Sequence, residues 1–118
     1  MVENSSDNRN KIKSALKESQ DLVVFTISTA SFFPKNARQV LADRMINLSI
    51  DILEEIIKAI DDSTISLNDD RKKRILSLLV SLNALFGVAL RLQYITSKVF
   101  AEFGHSYSNI KNNIETIC

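Results

Sequence analysis

Few side chains in this 118-residue chain could do chemistry, and their spacing decides what kind. His105 is the only histidine and Cys118 the only cysteine. A zinc site needs three or four converging ligands, and this pair supplies no such set, so no metal and no cofactor is expected. A lone imidazole could serve as a general base, but a surface or interface position accounts for it better. The carboxylates of Glu54 and Glu55, Asp61 and Asp62, and Asp69 and Asp70 are adjacent in sequence, which reads as solvated faces and helix ends rather than an acid-base couple. Di-iron carboxylate bundles need Glu-x-x-His motifs from two helices, and the chain has none. The expectation is a protein that is not an enzyme.

The concentrated feature is cationic: Arg71-Lys72-Lys73-Arg74, in the first turns of a helix. The N-terminal end of a helix dipole is already positive, so this run is unfavourable where it stands. Two things could compensate it: the nearby Asp61, Asp62, Asp69 and Asp70, or a phosphate backbone or acidic partner surface. Lys35, Arg38, Arg44, Arg91 and Lys98 complete the candidates for nucleic-acid or partner binding. The whole chain carries 15 basic and 14 acidic residues, a formal charge of +1, so no global field advertises nucleic acid or an anionic membrane.

The elements that must position these residues are helices. Two Gly and one Pro in the whole chain leave little but long helices as an economical reading, and the length suits one domain with a real core. Residues 1–8 are polar and aperiodic and read as a flexible tail, with the domain spanning 9–118. In the first helix Ile12, Leu16, Val23, Ile27 and Ala30 recur at helical spacing. Its β-branched stretch from Val23 to Thr29 would pass for a strand on propensity alone, but no turn signal separates it from the preceding turns. Pro34 should end this helix near Phe32, and Asn36 is the expected N-cap of the second.

The second helix aligns Leu41, Met45, Leu48, Ile52, Ile56 and Ala59, with Ile46, Ile50, Leu53, Ile57 and Ile60 on its flanks. A polar connection, Asp61 to Ser66, leads to a third helix capped by Ser66 with Asp69 three residues on. There Ile75, Leu78, Leu79, Leu82, Leu85, Phe86, Ala89 and Leu92 face inward, while Leu76, Val80, Val88 and Leu90 leave little of the perimeter polar. Gly87 and Gly104 suggest a close approach of another backbone. Gln93-Tyr94-Ile95 makes a tight turn, Thr96 caps the fourth helix, and Val99, Phe103, Tyr107, Ile110, Ile114 and Ile117 form its seam. The fold class expected is all-α, an antiparallel up-down-up-down four-helix bundle. The second and third helices carry more apolar perimeter than one core-facing stripe needs, which points to self-assembly.

The lone cysteine fits a reducing compartment, the N-terminal residues lack a secretory pattern, and the apolar runs are interrupted short of the ~20 residues a bilayer needs. A cytoplasmic protein without membrane contact is expected.

The segment Phe32-Phe33-Pro34-Lys35-Asn36-Ala37-Arg38-Gln39-Val40-Leu41-Ala42-Asp43-Arg44 resembles the aromatic-Pro-Lys/Arg loop and long second helix of the Avd-like four-helix bundle family. These are the accessory variability determinants of diversity-generating retroelements, related to the bundle proteins of ribosomal-RNA intervening sequences. Leu85-Phe86-Gly87-Val88-Ala89-Leu90-Arg91-Leu92 is similar to the family's Leu-Arg-rich third helix, and Ile95-Thr96-Ser97 to its turn into the fourth. Ala101-Glu102-Phe103-Gly104-His105 resembles its Ala/Asp-Glu-hydrophobic-Gly-Arg segment, with His105 in place of the usual cation. The resemblance spans about residues 10–115. It implies a homopentamer that partners a reverse transcriptase and engages RNA or DNA during mutagenic cDNA synthesis, with Arg38, Arg44 and Arg91 as the matching cations. The near-neutral charge and the missing aromatic-rich end of the fourth helix depart from that pattern. The alternatives are a bundle of the ribosomal-RNA intervening-sequence type, or a protein-protein interaction module that binds no nucleic acid.

Overall fold

With so little glycine and proline, the chain turns only where the sequence marks a stop. A computed structural model describes residues 2–61 and 69–117, with side chains placed over 7–60 and 69–117. Helix α1 (Val2–Ala30) leads through a turn to a single turn of helix, α2 (Lys35–Ala37), then a π-helical stretch (Arg38–Ala42) that runs directly into α3 (Asp43–Asp61). Helices α4 (Asp69–Arg91) and α5 (Ser97–Thr116) complete the order, and the described residues include no strand. Helix α1 packs against α3 and α5, and α4 packs against the same two, so the long helices stand at the corners of a square with α1 diagonal to α4. The protein is an all-α antiparallel four-helix bundle, 51 Å long and 23 × 20 Å across.

The core follows one rule. Along α1 the buried residues are Asn8, Ile12, Ala15, Ser19, Leu22, Thr26 and Ala30, alternating at four and three until a second step of four at the helix end. The same alternation carries Ile75, Leu79, Leu82, Phe86 and Ala89 on α4, and Phe103, half-buried Tyr107, Ile110, Ile114 and Ile117 at the other corner. This is the spacing that lets side chains of one helix sit between four of the next at shallow crossing angles. On the second long helix all six expected core residues, from Leu41 to Ala59, are buried. Phe86 stacks on Phe103 with ring centroids 4.0 Å apart, and Phe25 from α1 closes on Phe86 at 6.1 Å, tying three helices together.

Several expectations need correction. Helix α1 begins at Val2, within the segment read as a tail; Asp7 pairs with Lys11 at 3.0 Å, and Asn8 is buried. The inward line of α1 runs through Ser19 and Thr26, whereas Val23 is only half-buried and Ile27 is exposed. Small hydroxyl residues can occupy these seam positions because each satisfies itself on its own helix: Ser19 Oγ donates to the Leu16 carbonyl at 2.8 Å and Thr26 Oγ1 to that of Leu22 at 2.7 Å. Asn36 does not cap the second helix; Pro34, with extended backbone, precedes the first helical residue, and no side chain caps it. The Ser66 cap, its connection over residues 62–68 and Cys118 lie outside the described residues.

The surplus apolar perimeter is largely absorbed within the single chain. Ile46, Ile60, Leu76, Leu78, Leu85 and Leu90 pack against the core as partly buried flanks. Ile57, Val80, Val88 and Leu92 remain exposed on the second and third long helices, while the most exposed apolar residues are Phe32 and Val40, each at 81%. By length and composition, α4 is apolar enough to cross a membrane, with a mean hydropathy of 1.6 over 18 residues, so the sequence reading undercounted it. In the bundle its five seam residues, from Ile75 to Ala89, are buried against the neighbouring helices.

The turn after α4 is a Schellman motif: Tyr94 N–H donates to the Ala89 carbonyl at 2.9 Å and Gln93 N–H to that of Leu90 at 3.0 Å. Gln93 sits at φ 63°, a left-handed position that Gly would occupy without strain. Thr96 caps α5 as expected, its hydroxyl accepting from Val99 N–H at 3.2 Å. Neither helical glycine marks a close approach, since a Cβ at Gly87 or Gly104 would meet nothing within 4 Å.

Gly87→Ala and Gly104→Ala should therefore each stabilise the fold by about 1 kcal/mol through helix propensity, seen as a higher urea midpoint at unchanged slope. Destabilisation by either would place a neighbour against that face. Phe103→Ala should cost about 3–5 kcal/mol in the same measurement, because it empties the centre of the aromatic contact.

Candidate binding surfaces

Antiparallel packing divides the chain's cations between two ends. The first end gathers the start of α1, the end of α3, the start of α4 and the end of α5. Here lie Arg71, Lys72, Lys73 and Arg74. Arg74 Nε donates to Glu55 Oε1 at 2.8 Å, and Lys58 Nζ approaches the same oxygen at 3.5 Å. Lys72 Nζ donates to the Ile117 carbonyl, and Lys11 Nζ reaches the Thr116 carbonyl at 3.1 Å. Arg71 is also engaged. Lys73 is exposed and makes no hydrogen bond or ion pair among the described residues.

These contacts answer why four cations tolerate a helix N-terminus. The negative end of the α5 dipole lies beside them, and two lysines satisfy its last carbonyls. Glu55 neutralises Arg74 from the side. The sequence reading set Glu55 among solvated carboxylates, yet it is 7% exposed. The available signal was its place three residues after Ile52 and four before Ala59, on the edge of the seam. Glu55, Lys58, Asp70, Arg71 and Arg74 line a polar cleft at this end.

The second end gathers the α1 to α2 turn, the start of α3, the end of α4 and the start of α5. Phe33 is 1% exposed and packs on Tyr94 with ring centroids 5.4 Å apart, locking the two turns together. Arg38, expected to bind a partner, binds its own chain: Nε donates to the Phe33 carbonyl at 3.2 Å and Nη2 to that of Ser31 at 3.3 Å, covering acceptors left free where α1 stops. The π turn, closed by Asp43 N–H on the Arg38 carbonyl, lets both Leu41 and Ala42 face the core and pushes Val40 out into solvent.

Lys35, Arg44, Arg91 and Lys98 are all exposed near this end. They do not join the run at Arg71 to Arg74. Along α4 alone, Arg74 and Arg91 are separated by roughly 25 Å of helix. Against Lys35, Arg38, Arg44, Arg91 and Lys98 this end sets only Asp43 and Glu102, so the cation excess hidden in a near-neutral chain sits here.

An apolar groove of about 480 Å³ opens beside these cations, between the last turns of α1 and the first of α5. Phe25, Phe32, Tyr94, Ile95 and Val99 provide its apolar lining, and Ser28, Thr29, Thr96 and Glu102 complete the wall. The sequence reading missed the groove because Phe32 looked like an ordinary helix end. His105 is exposed on α5, and no group of three potential metal ligands occurs among the described residues. In comparisons of this chain with family models, curated proteins and solved structures, nothing matches it.

Glu55→Gln should destabilise the bundle by about 1–2 kcal/mol in urea unfolding, because it leaves Arg74 and Lys58 facing a neutral amide at a poorly hydrated site. Arg74→Gln should cost less, under about 1 kcal/mol, since the arginine side chain is 67% exposed. The reverse order would contradict the part assigned to the carboxylate.

Proposed function

We propose that this protein is a non-enzymatic, cytoplasmic accessory protein of a diversity-generating retroelement. In this reading it is an Avd-like bundle that self-associates as a pentamer and holds a reverse transcriptase and nucleic acid during mutagenic cDNA synthesis. The observation that carries the reading is the segment from Phe32 to Arg44. Its sequence resembles the family's loop, and in the fold its parts work together: Phe33 seats on Tyr94, Arg38 bonds back to the Ser31 and Phe33 carbonyls of the turn, and Lys35 and Arg44 are left facing water. Self-association is supported by Val24, Val40, Val80 and Leu92, all more than half exposed. Nucleic-acid contact is supported by the cation excess at the same end.

A second reading, a protein-protein module without nucleic acid, is favoured by the formal charge of +1 and by the engagement of Arg38, Lys72 and Arg74 within the fold. Native mass measurement should give a species near five times 13.3 kDa. Fluorescence anisotropy with labelled RNA should show binding that weakens steeply with salt, and replacing Lys35, Arg91 and Lys98 together by Ala should flatten that dependence. A monomer that binds neither RNA nor the reverse transcriptase encoded beside it would remove the reading; a protein partner without RNA would leave the second one.

A further inference from the structure

The groove at the second end pairs two features that the bundle itself does not use. Its lining is largely apolar, and Phe32, part of that lining, is 81% exposed. Its α1 wall belongs to a stretch, Leu22 to Pro34, that carries no charged residue. Around the bundle end beside it lie three cations within three residues of lining residues: Lys35 after Phe32, Arg91 before Tyr94, and Lys98 next to Val99. All three are exposed, and none has a hydrogen bond or ion pair among the described residues. The volume falls within the ~300–1,000 Å³ of common binding pockets.

We propose that this groove is the docking site for an acidic, amphipathic segment of a protein partner. One large apolar side chain enters between Phe32, Tyr94 and Val99, and the carboxylates beside it meet Lys35, Arg91 and Lys98. Interfaces concentrate affinity in such a desolvated anchor, and the surrounding charges select the partner and speed its approach. Glu102 fixes the polarity of the segment, since its carboxylate repels the acidic end and leaves that end toward the tip of the bundle. The inference rests on the binding-module reading and adds the chemistry of the protein contact.

The test starts from a random peptide library of about twelve residues displayed on phage and selected against the full chain. Enrichment of a Leu, Ile, Phe or Trp flanked by Asp and Glu is expected. The best peptide, measured by anisotropy, should bind the wild type with salt-weakened affinity and lose about tenfold or more on Phe32→Ala and on Lys98→Glu. Both positions are exposed, so the thermal midpoint should hold. No enrichment, enrichment of Lys- and Arg-flanked anchors, or binding indifferent to Phe32→Ala would each overturn the proposal. So would an assembly of the chain that Phe32→Ala dissolves, because a second copy would then fill the groove. If the reverse transcriptase binds Phe32→Ala and wild type alike, this inference fails while the accessory-protein reading stands.

Discussion

Every long helix of this protein must present a line of side chains alternating at four and three residues, and the rest of the architecture depends on that constraint. An α-helix turns once in 3.6 residues, so such a line stays on one side over several turns and lets two helices mesh nearly parallel. Four such lines meeting at the centre of a square leave each helix only one route to burial. The aromatic residues then fill one level of the bundle, where Phe86 meets both Phe25 and Phe103. Seam positions held by Ser19, Thr26 and Ser49 show how strictly spacing governs. Each hydroxyl satisfies itself on a carbonyl of its own helix rather than yielding the position.

The ends of the bundle solve a different problem, which is what to do with helix termini. At one end the lysines of α1 and α4 meet the last carbonyls of α5. At the other, Arg38 covers the end of α1, a Schellman turn closes α4, and Thr96 starts α5. Cations that look like a binding motif in the sequence are thus partly consumed by backbone chemistry. Apart from Lys73, the candidate cations left over are at the second end, where the groove also opens.

The fold was legible in the sequence because periodicity reports packing directly. The buried stripe from Leu41 to Ala59, the Thr96 cap and the tight turn at Gln93 all follow from residue type and spacing. What spacing could not convey was the choice between neighbouring stripes. On α1, hydropathy favoured Val23 and Ile27, but the geometry of the seam selects Leu22 and Thr26. Glu55 was hidden for the same reason, since its burial depends on Arg74 arriving from another helix. The glycines misled because their freedom from a side chain can signal contact or nothing at all, and here the space beside them is open. The candidate surfaces were legible as a set of cations but not as two groups, because the order of residues along a chain does not reveal which ends an antiparallel fold brings together.

The separation of those groups gives the molecule an electrical property its formal charge conceals. Counter-ions at physiological strength damp a field within about 8 Å, whereas the basic clusters stand on the order of 25 Å apart along α4. Neither tip senses the other. The largely engaged run at one tip therefore leaves the field of the unpaired cations at the other undiminished, and the rod is charged chiefly at a single pole.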